Sequence, residues 1–269
     1  MTRRPMPCPE RATLRGLAAA FLLLITCLAP DAARADSPTL PASIRLTSLE
    51  WPPFSGAALT NQGLSTAIIA RTLATAGMAL DVDFLPWQRA VHTGLRDAAY
   101  AGYYPEYASA GLEGGRCLLS DPIGSSPLGF AERVEAPVTW RGLGDLKDRR
   151  IGTVRGYVNT DAFDRAAADG SLGVEPAVDD ATNLRKLAAG RLDLAVIDAN
   201  VLAHLLSSDP DLRHLRDRLR FNARILEDKT LHVCFRPGAE GEVLRHRFNQ
   251  GLARGRPESI LEAARPRAK

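Results

Sequence analysis

The chain has 269 residues, of which 45% are hydrophobic, with 34 basic and 31 acidic side chains. The first 35 residues carry five arginines and two acids, so the remaining 234 residues have 29 basic and 29 acidic side chains. This balance gives no reason to expect a nucleic-acid or membrane-surface partner. A chain of this length can bury a large core, as one large or two small domains.

The N-terminus has the features of a secretory signal peptide. Arginines precede an apolar run over residues 16–28, which is too short to span a bilayer. The sequence Ala33-Arg34-Ala35 then matches the small-x-small pattern of a cleavage site. We therefore predict a signal peptide over residues 1–35, a mature chain that begins at Asp36, and a periplasmic location. A lipid anchor on Cys27 is the alternative.

Apolar periodicity predicts strands and helices that alternate along the chain. The predicted strands cover residues 44–49, 80–85, 97–103, 117–120, 128–134, 150–154, 174–178, 192–197 and 231–235. The predicted helices cover residues 64–76, 87–95, 160–168, 181–189, 199–206, 240–253 and 257–264, with a short helical turn over 142–148. Two successive runs of strand and helix predict an α/β protein with two parallel-type sheets and helices on both faces.

The segment 189–198 predicts both an architecture and a binding residue. Gly190 stands where a helix ends, and an apolar run over 192–197 is typical of a strand buried on both faces. Asp198 follows this strand directly. In open α/β sheets the ligand crevice lies at the carboxyl ends of the strands. Asp198 is therefore a candidate ligand carboxylate, and equally a cap of the next helix.

A second candidate is the loop that follows the predicted strand 150–154. Its residues are Arg155, Gly156, Tyr157, Val158 and Asn159. Gly156 lets the backbone come close to a ligand, and the unpaired N–H groups of the next helical turn favour an anion. Asn159 or Thr160 could cap that helix instead.

Aromatic and acidic residues also gather near the ends of the first three predicted strands. These residues are Glu50, Trp51, Trp87, Tyr100, Tyr103, Tyr104 and Glu106. Any one of the aromatic residues could simply pack in the core. As a group at one edge of a sheet, they favour a ligand slot.

Sequence motifs for catalysis and metal binding are missing. We find no Gly-x-Ser-x-Gly elbow, phosphate-binding loop or dinucleotide fingerprint, and the five histidines lack metal-ligand spacing. We therefore expect neither a cofactor nor a metal. Cys117 and Cys234 remain after signal cleavage; in an oxidising compartment they could form a disulfide, or they could be two buried thiols.

An ordered set of short motifs resembles periplasmic solute-binding proteins of family 3, the amino-acid-binding receptors of ABC transporters. The motifs are Trp51-Pro-Pro-Phe, Ser120-Asp-Pro-Ile, Asp145-Leu-Lys, Ile151-Gly-Thr-Val-Arg-Gly and Gly190-Arg-Leu-Asp. The resemblance implies a type II fold of two lobes with a hinge of two crossing strands. Lobe 1 would comprise residues 40–130 plus 231–264, and lobe 2 residues 134–225.

The resemblance also implies a function and roles for particular residues. The protein would be a monomer that binds a small solute between its lobes and delivers it to a membrane permease. Trp51 matches the aromatic that stacks on the ligand, and Trp87 lies near a second family aromatic. Residues 156–159 match the loop that holds a ligand carboxylate. Asp198 matches the acid that binds the ligand's amino group.

One departure from the family pattern bears on the ligand. The family has Thr-x-x-Arg after the third strand, and its arginine grips the α-carboxylate. Here the stretch is Glu106-Tyr-Ala-Ser109, and Arg116 stands at a different spacing. An amine or another cationic solute would therefore fit as well as an amino acid.

Two further classes of function stay open at this point. The chain is similar to secreted cyclohexadienyl dehydratase, an enzyme on the same fold, in which case Glu106 or Glu50 would be the proton donor. A sensory module that presents its ligand to a signalling partner is the other alternative.

Overall fold

A computed structural model describes residues 41–109, 112 and 115–255. The predicted signal peptide and the last predicted helix, 257–264, lie outside these residues. The strands are β1 (Ser43–Ser48), β2 (Ala79–Phe84), β3 (Gly102–Tyr107), β4 (Leu118–Leu119), β5 (Gly124–Arg133), β6 (Ile151–Val154), β7 (Val174–Ala177), β8 (Leu194–Asp198), β9 (Leu219–Phe221) and β10 (Glu227–Phe235). The helices are α1 (Leu64–Ala74), α2 (Trp87–Arg96), α3 (Asp161–Ala168), α4 (Asp180–Ala188), α5 (Ala199–Ser208) and α6 (Ala239–Gly255). Short 3-10 helices cover Thr60–Gln62, Leu143–Leu146 and Arg213–Leu215.

The predicted order of strands and helices is confirmed within the described residues, and one boundary is wrong in a way that matters. Strand β3 begins at Gly102 and not at residue 97, because residues 97–101 form a turn. In that turn the Asp97 carboxylate accepts a hydrogen bond from the backbone N–H of Ala99 at 2.9 Å. Tyr103, Tyr104 and Glu106 therefore lie inside the strand rather than at or beyond its end. Strand β9 was not predicted.

The strands form one curled sheet with the order β2-β1-β3-β10-β5-β8-β6-β7, in which β4 pairs with β10 and β9 pairs with β5. Strand β1 is parallel to β2 and β3, and β6 is parallel to β7 and β8. The long strands β5 and β10 pair antiparallel over residues 124–128 and 227–231. The two predicted sheets are therefore two parallel halves joined through β5 and β10.

These two strands are the crossing connection between the halves. Beyond its pairing with β5, strand β10 continues along β3, whereas β5 continues along β8. Both β3 and β8 are buried along their whole length, as expected of strands covered on both faces. The fold is the two-lobe, type II fold that the sequence predicted, and it brings the ends of β1, β3 and β6 to one place.

A disulfide joins Cys117 to Cys234, whose Cα atoms lie 5.6 Å apart. It fastens the segment before β4 to strand β10. Both cysteines are buried in a small apolar cluster with Val91, Tyr103 and Leu112. Within residues 41–255 as described, no helix is both long and apolar enough to cross a membrane.

Candidate functional site

A small cavity lies where the two halves of the sheet meet. It is lined by Leu49, Trp51, Trp87, Pro105, Glu106, Tyr107, Tyr157, Val158 and Leu231. About 30 Å³ is open to the centre of a water molecule, which is room for about two waters. Most of the lining is apolar, and its one ionisable acid is Glu106.

Four of the lining residues, Trp51, Trp87, Tyr107 and Tyr157, form an aromatic cluster. The ring of Trp51 meets Tyr107 edge-on at a centroid distance of 6.0 Å and Tyr157 at 6.5 Å. Trp87 meets Tyr157 at 5.9 Å, also edge-on. The tyrosine from the β6 loop therefore packs between two tryptophans from the other half of the sheet.

Trp87 also bonds directly to the backbone across the cavity. Its indole nitrogen donates a hydrogen bond of 2.8 Å to the carbonyl oxygen of Gly156. Gly156 has a φ of +82°, and a Cβ there would lie 3.0 Å from the side chain of Gln88. Glycine therefore suits this position for both its conformation and its close approach to α2.

Glu106 lines the cavity and is 4% exposed. One carboxylate oxygen accepts a hydrogen bond from the Tyr103 hydroxyl at 2.7 Å, and the other accepts one from the backbone N–H of Tyr107 at 2.9 Å. Burial raises the pKa of this carboxyl, against the opposing effect of these bonds and of Arg116 and Lys229.

Asp180, the first residue of α4, is an acid at this site that the sequence analysis missed. It is 7% exposed and lies beside the Trp51 side chain. Burial, together with the charges of Asp179 and Asp198, raises its pKa to about 7. Asp179 caps α4 by accepting the N–H of Thr182 at 2.7 Å. The available signal was a second acid directly after a capping acid, at the carboxyl end of a strand.

Asp198 caps α5, as the alternative prediction stated. One oxygen accepts the backbone N–H groups of Asn200 at 2.6 Å and Val201 at 2.9 Å. The other accepts the Ser126 hydroxyl, which lies 2.6 Å from the hydroxyl of Tyr107. Asp198 is 1% exposed and does not line the cavity, but this chain of hydrogen bonds connects it to the aromatic cluster.

The loop predicted to hold a ligand carboxylate uses part of its hydrogen-bonding capacity internally. The backbone N–H of Asn159 donates to one Asp164 oxygen at 2.9 Å, and its side-chain amide donates to the other at 2.8 Å. The backbone N–H of Tyr157 donates to the Val154 carbonyl at 3.1 Å. Arg155 is exposed, and Thr160 caps α3.

Of the residues predicted from sequence, Trp51, Trp87, Glu106, Tyr157 and Val158 come together around the cavity. The other predicted residues do not line the cavity, although Gly156 and Tyr103 bond to residues that do.

Glu50 is exposed and accepts the N–H of Ala57 at 3.0 Å. Tyr104 is fully buried and shares a hydrogen bond of 2.7 Å with Thr66. Tyr100 lies ahead of β3 and donates its hydroxyl to Asp83 at 2.7 Å. These contacts account for the three residues without a ligand.

The described residues contain no group of three or more histidine, cysteine, aspartate or glutamate side chains that could hold a metal ion. The site is therefore a narrow aromatic cavity with acidic side chains at and behind its walls. Its chemistry suits a small cation that also has an apolar surface.

Comparisons with known proteins connect this geometry to a fold. No protein-family model matches the sequence, and no curated protein matches it significantly. Solved structures do match. An ancestral arginine-binding protein bound to arginine is 15% identical, with a TM-score of 0.68 over 85% of this chain and all of that chain. A histidine kinase sensor domain similar to periplasmic binding proteins is 20% identical, with a TM-score of 0.68 over 82% and 95%.

A third structure is the ancestral amino acid-binding protein AncCDT-1, described as a precursor of cyclohexadienyl dehydratase. It is 14% identical, with a TM-score of 0.64 over 83% of this chain and 95% of that chain. At these identities the likeness concerns the fold. The resemblance to solute-binding proteins of family 3 is confirmed at that level: this chain has the two-lobe fold of periplasmic amino-acid-binding proteins.

Proposed function

We propose that the protein is a periplasmic receptor that binds a small solute with an amino or other cationic group in the cavity between its lobes. The observation that carries this proposal is a set of three buried carboxylates, Glu106, Asp180 and Asp198. Within the described residues, none of them forms an ion pair within 4 Å. A buried carboxylate without a cationic partner is costly, and a bound cation would lower that cost.

Ligand entry requires the walls of the cavity to separate, because the cavity has room for only about two water molecules. We propose that lobe 1 (residues 40–130 plus 231–264) and lobe 2 (134–225) rotate about β5 and β10. These are the strands that join the two halves of the sheet. Closure would bring Tyr157 towards Trp51 and Trp87 again, with the ligand held among the aromatic rings.

We further propose that a monomer of this receptor delivers its solute to the permease of an ABC transporter. The fold that it shares with amino-acid-binding proteins supports this role. A sensory role is the alternative, supported by the fold that it shares with a histidine kinase sensor domain. Copurification of the mature protein with a permease, or with a kinase, would distinguish the two.

Binding is tested by thermal denaturation of the mature chain with a panel of amines, amino acids and neutral polyols. We expect at least one amine-bearing solute to raise the melting temperature, since a ligand at 100 times its Kd adds about 2.7 kcal/mol of stability. The double variant Glu106→Gln, Asp180→Asn should lose this response. Glu50→Gln is the matched control, because Glu50 is an exposed acid outside the cavity. No response to any amine would contradict the proposal.

A second candidate, a dehydratase, is favoured by Glu106 alone. This acid lines the cavity, and its raised pKa would keep a larger share of it protonated as a proton donor. One of the structural neighbours is a precursor of cyclohexadienyl dehydratase. Turnover of prephenate or arogenate by the wild type, lost in Glu106→Gln, would establish the enzyme.

A further inference from the structure

We propose that the ligand is an alkylated ammonium compound without a carboxylate, held by the aromatic cluster and neutralised by the buried acids, and is not an α-amino acid. This inference rests on the proposed binding function and names the class of solute. It follows from three features of the cavity. No arginine or lysine lines it, its walls are aromatic, and the buried acids near it have no ion-pair partner.

The cavity lacks a cationic side chain that would hold a ligand carboxylate. Its described lining contains no arginine or lysine. Arg116 instead lines a neighbouring groove beside α2, together with His92 and Arg96. In the β6 loop, the N–H of Asn159 is occupied by the Asp164 carboxylate. An α-carboxylate in the cavity would therefore lose its water without gaining a charged donor.

The walls favour a cation that does not need many hydrogen bonds. A primary ammonium has three N–H donors to satisfy, whereas a quaternary ammonium has none. Both Glu106 oxygens already accept hydrogen bonds from Tyr103 and Tyr107. The rings of Trp51, Trp87, Tyr107 and Tyr157 line the remaining space and meet one another edge-on. The Lys229 ammonium already lies over the Tyr107 ring, 5.6 Å from its centroid, which leaves the two tryptophans and Tyr157 for the ligand. Aromatic enclosures of this kind recognise quaternary ammonium groups.

The charge of the site points the same way. Asp180 is more than nine-tenths buried, makes no ion pair within the described chain, and lies beside the Trp51 side chain on the cavity wall. Asp198 is a second buried carboxyl group behind Tyr107. In their ionised forms these groups attract a cation and repel a ligand carboxylate. A zwitterionic amino acid is attracted through its ammonium group and repelled through its carboxylate.

The test compares matched ligands by calorimetry on the mature wild-type protein. Choline and ethanolamine differ in the three N-methyl groups, and choline and glycine betaine differ in the carboxylate. We expect choline to bind at least tenfold more tightly than either, and than L-arginine. If ethanolamine, glycine betaine or L-arginine binds as tightly as choline, the inference is overturned while amine binding stands. If none of the four binds, the inference is overturned, and the wider panel of amines decides whether the proposed function also fails.

Variants test whether the aromatic rings carry the selectivity. Trp51→Leu and Tyr157→Leu should each weaken choline binding about tenfold or more. Each should also reduce the ratio of the affinity for choline to the affinity for ethanolamine. Tyr100→Leu is the control, because Tyr100 contacts Arg45 and Asp83 outside the cavity. An unchanged preference for choline in both folded variants would overturn the assignment to the aromatic cluster. If a variant fails to fold, the comparison of ligands on the wild type still decides.

Discussion

The indole nitrogen of Trp87 and the carbonyl oxygen of Gly156 lie 2.8 Å apart in a hydrogen bond that links helix α2 to the loop after β6. These elements belong to different halves of the sheet, which strands β5 and β10 join. A single side chain therefore contributes to holding the cavity closed.

Trp87→Phe keeps an aromatic ring and removes this donor. We expect the protein to open more readily, because a neutral hydrogen bond contributes about 0.5–1.5 kcal/mol, or up to about tenfold in the balance of closed and open forms. Small-angle scattering of the ligand-free variant should give a larger radius of gyration than the wild type. Trp140→Phe is the control, since it removes a similar indole bond, to Asn222, away from the cavity. Equal radii of gyration for Trp87→Phe and the wild type would show that this hydrogen bond does not hold the cavity closed.

Asp180 should make stability depend on pH. Its pKa in the folded protein is raised to about 7 by burial, above the ordinary value of 3.8. Between these values the folded state holds a proton that the unfolded state has released, so this group lowers stability as pH rises from about 4 to about 7. The difference is on the order of 2–4 kcal/mol. Denaturant titrations at pH 5 and pH 8 should show that Asp180→Asn loses less stability over this range than the wild type. Parallel pH profiles would contradict the assignment.

The variant Asp198→Asn should distinguish the effect of the Asp198 charge on binding from its role as the N-terminal cap of α5. Asparagine caps helices about as well as aspartate, so the free energy of unfolding should change by less than about 1 kcal/mol. Removal of the charge should weaken amine binding by less than about tenfold, because Asp198 lies behind Ser126 and Tyr107 and acts on the ligand only through space. Calorimetry and denaturant titration measure the two effects on the same sample. Equal affinities would leave Asp198 as a helix cap only, while Asp169→Asn, in an exposed turn, should change neither quantity.

The disulfide should contribute substantially to stability. It connects cysteines 117 positions apart in the chain, and loss of a native disulfide commonly costs about 2–5 kcal/mol. We expect the double variant Cys117→Ser, Cys234→Ser to melt at a lower temperature than the wild type. Reductant should lower the melting temperature of the wild type and leave that of the variant unchanged. If reductant lowers the melting temperature of the wild type and of the double variant equally, the reductant does not act through the Cys117–Cys234 disulfide.

The strand and helix order could be predicted from sequence because periodicity and turn residues act over a few positions. The apolar run ending at Asp198 and the aromatic residues Trp51 and Trp87 near strand ends are signals of this kind. They indicate the fold and one wall of the cavity. The start of β3 was misplaced because the Asp97 turn competes with a strand pattern that continues through it.

Tertiary structure decided which of these residues meet, how deeply they are buried and which hydrogen bonds they make. Asp180 has only the weak signal of an acid that follows a capping acid. The assembled fold buries it beside Trp51, far away in sequence, and this burial raises its pKa. Likewise, residues 156–159 have the sequence of an anion loop, yet the Asp164 carboxylate occupies the N–H of Asn159. Sequence patterns report local backbone preference, whereas burial and pairing depend on contacts that exist only after the sheet has assembled.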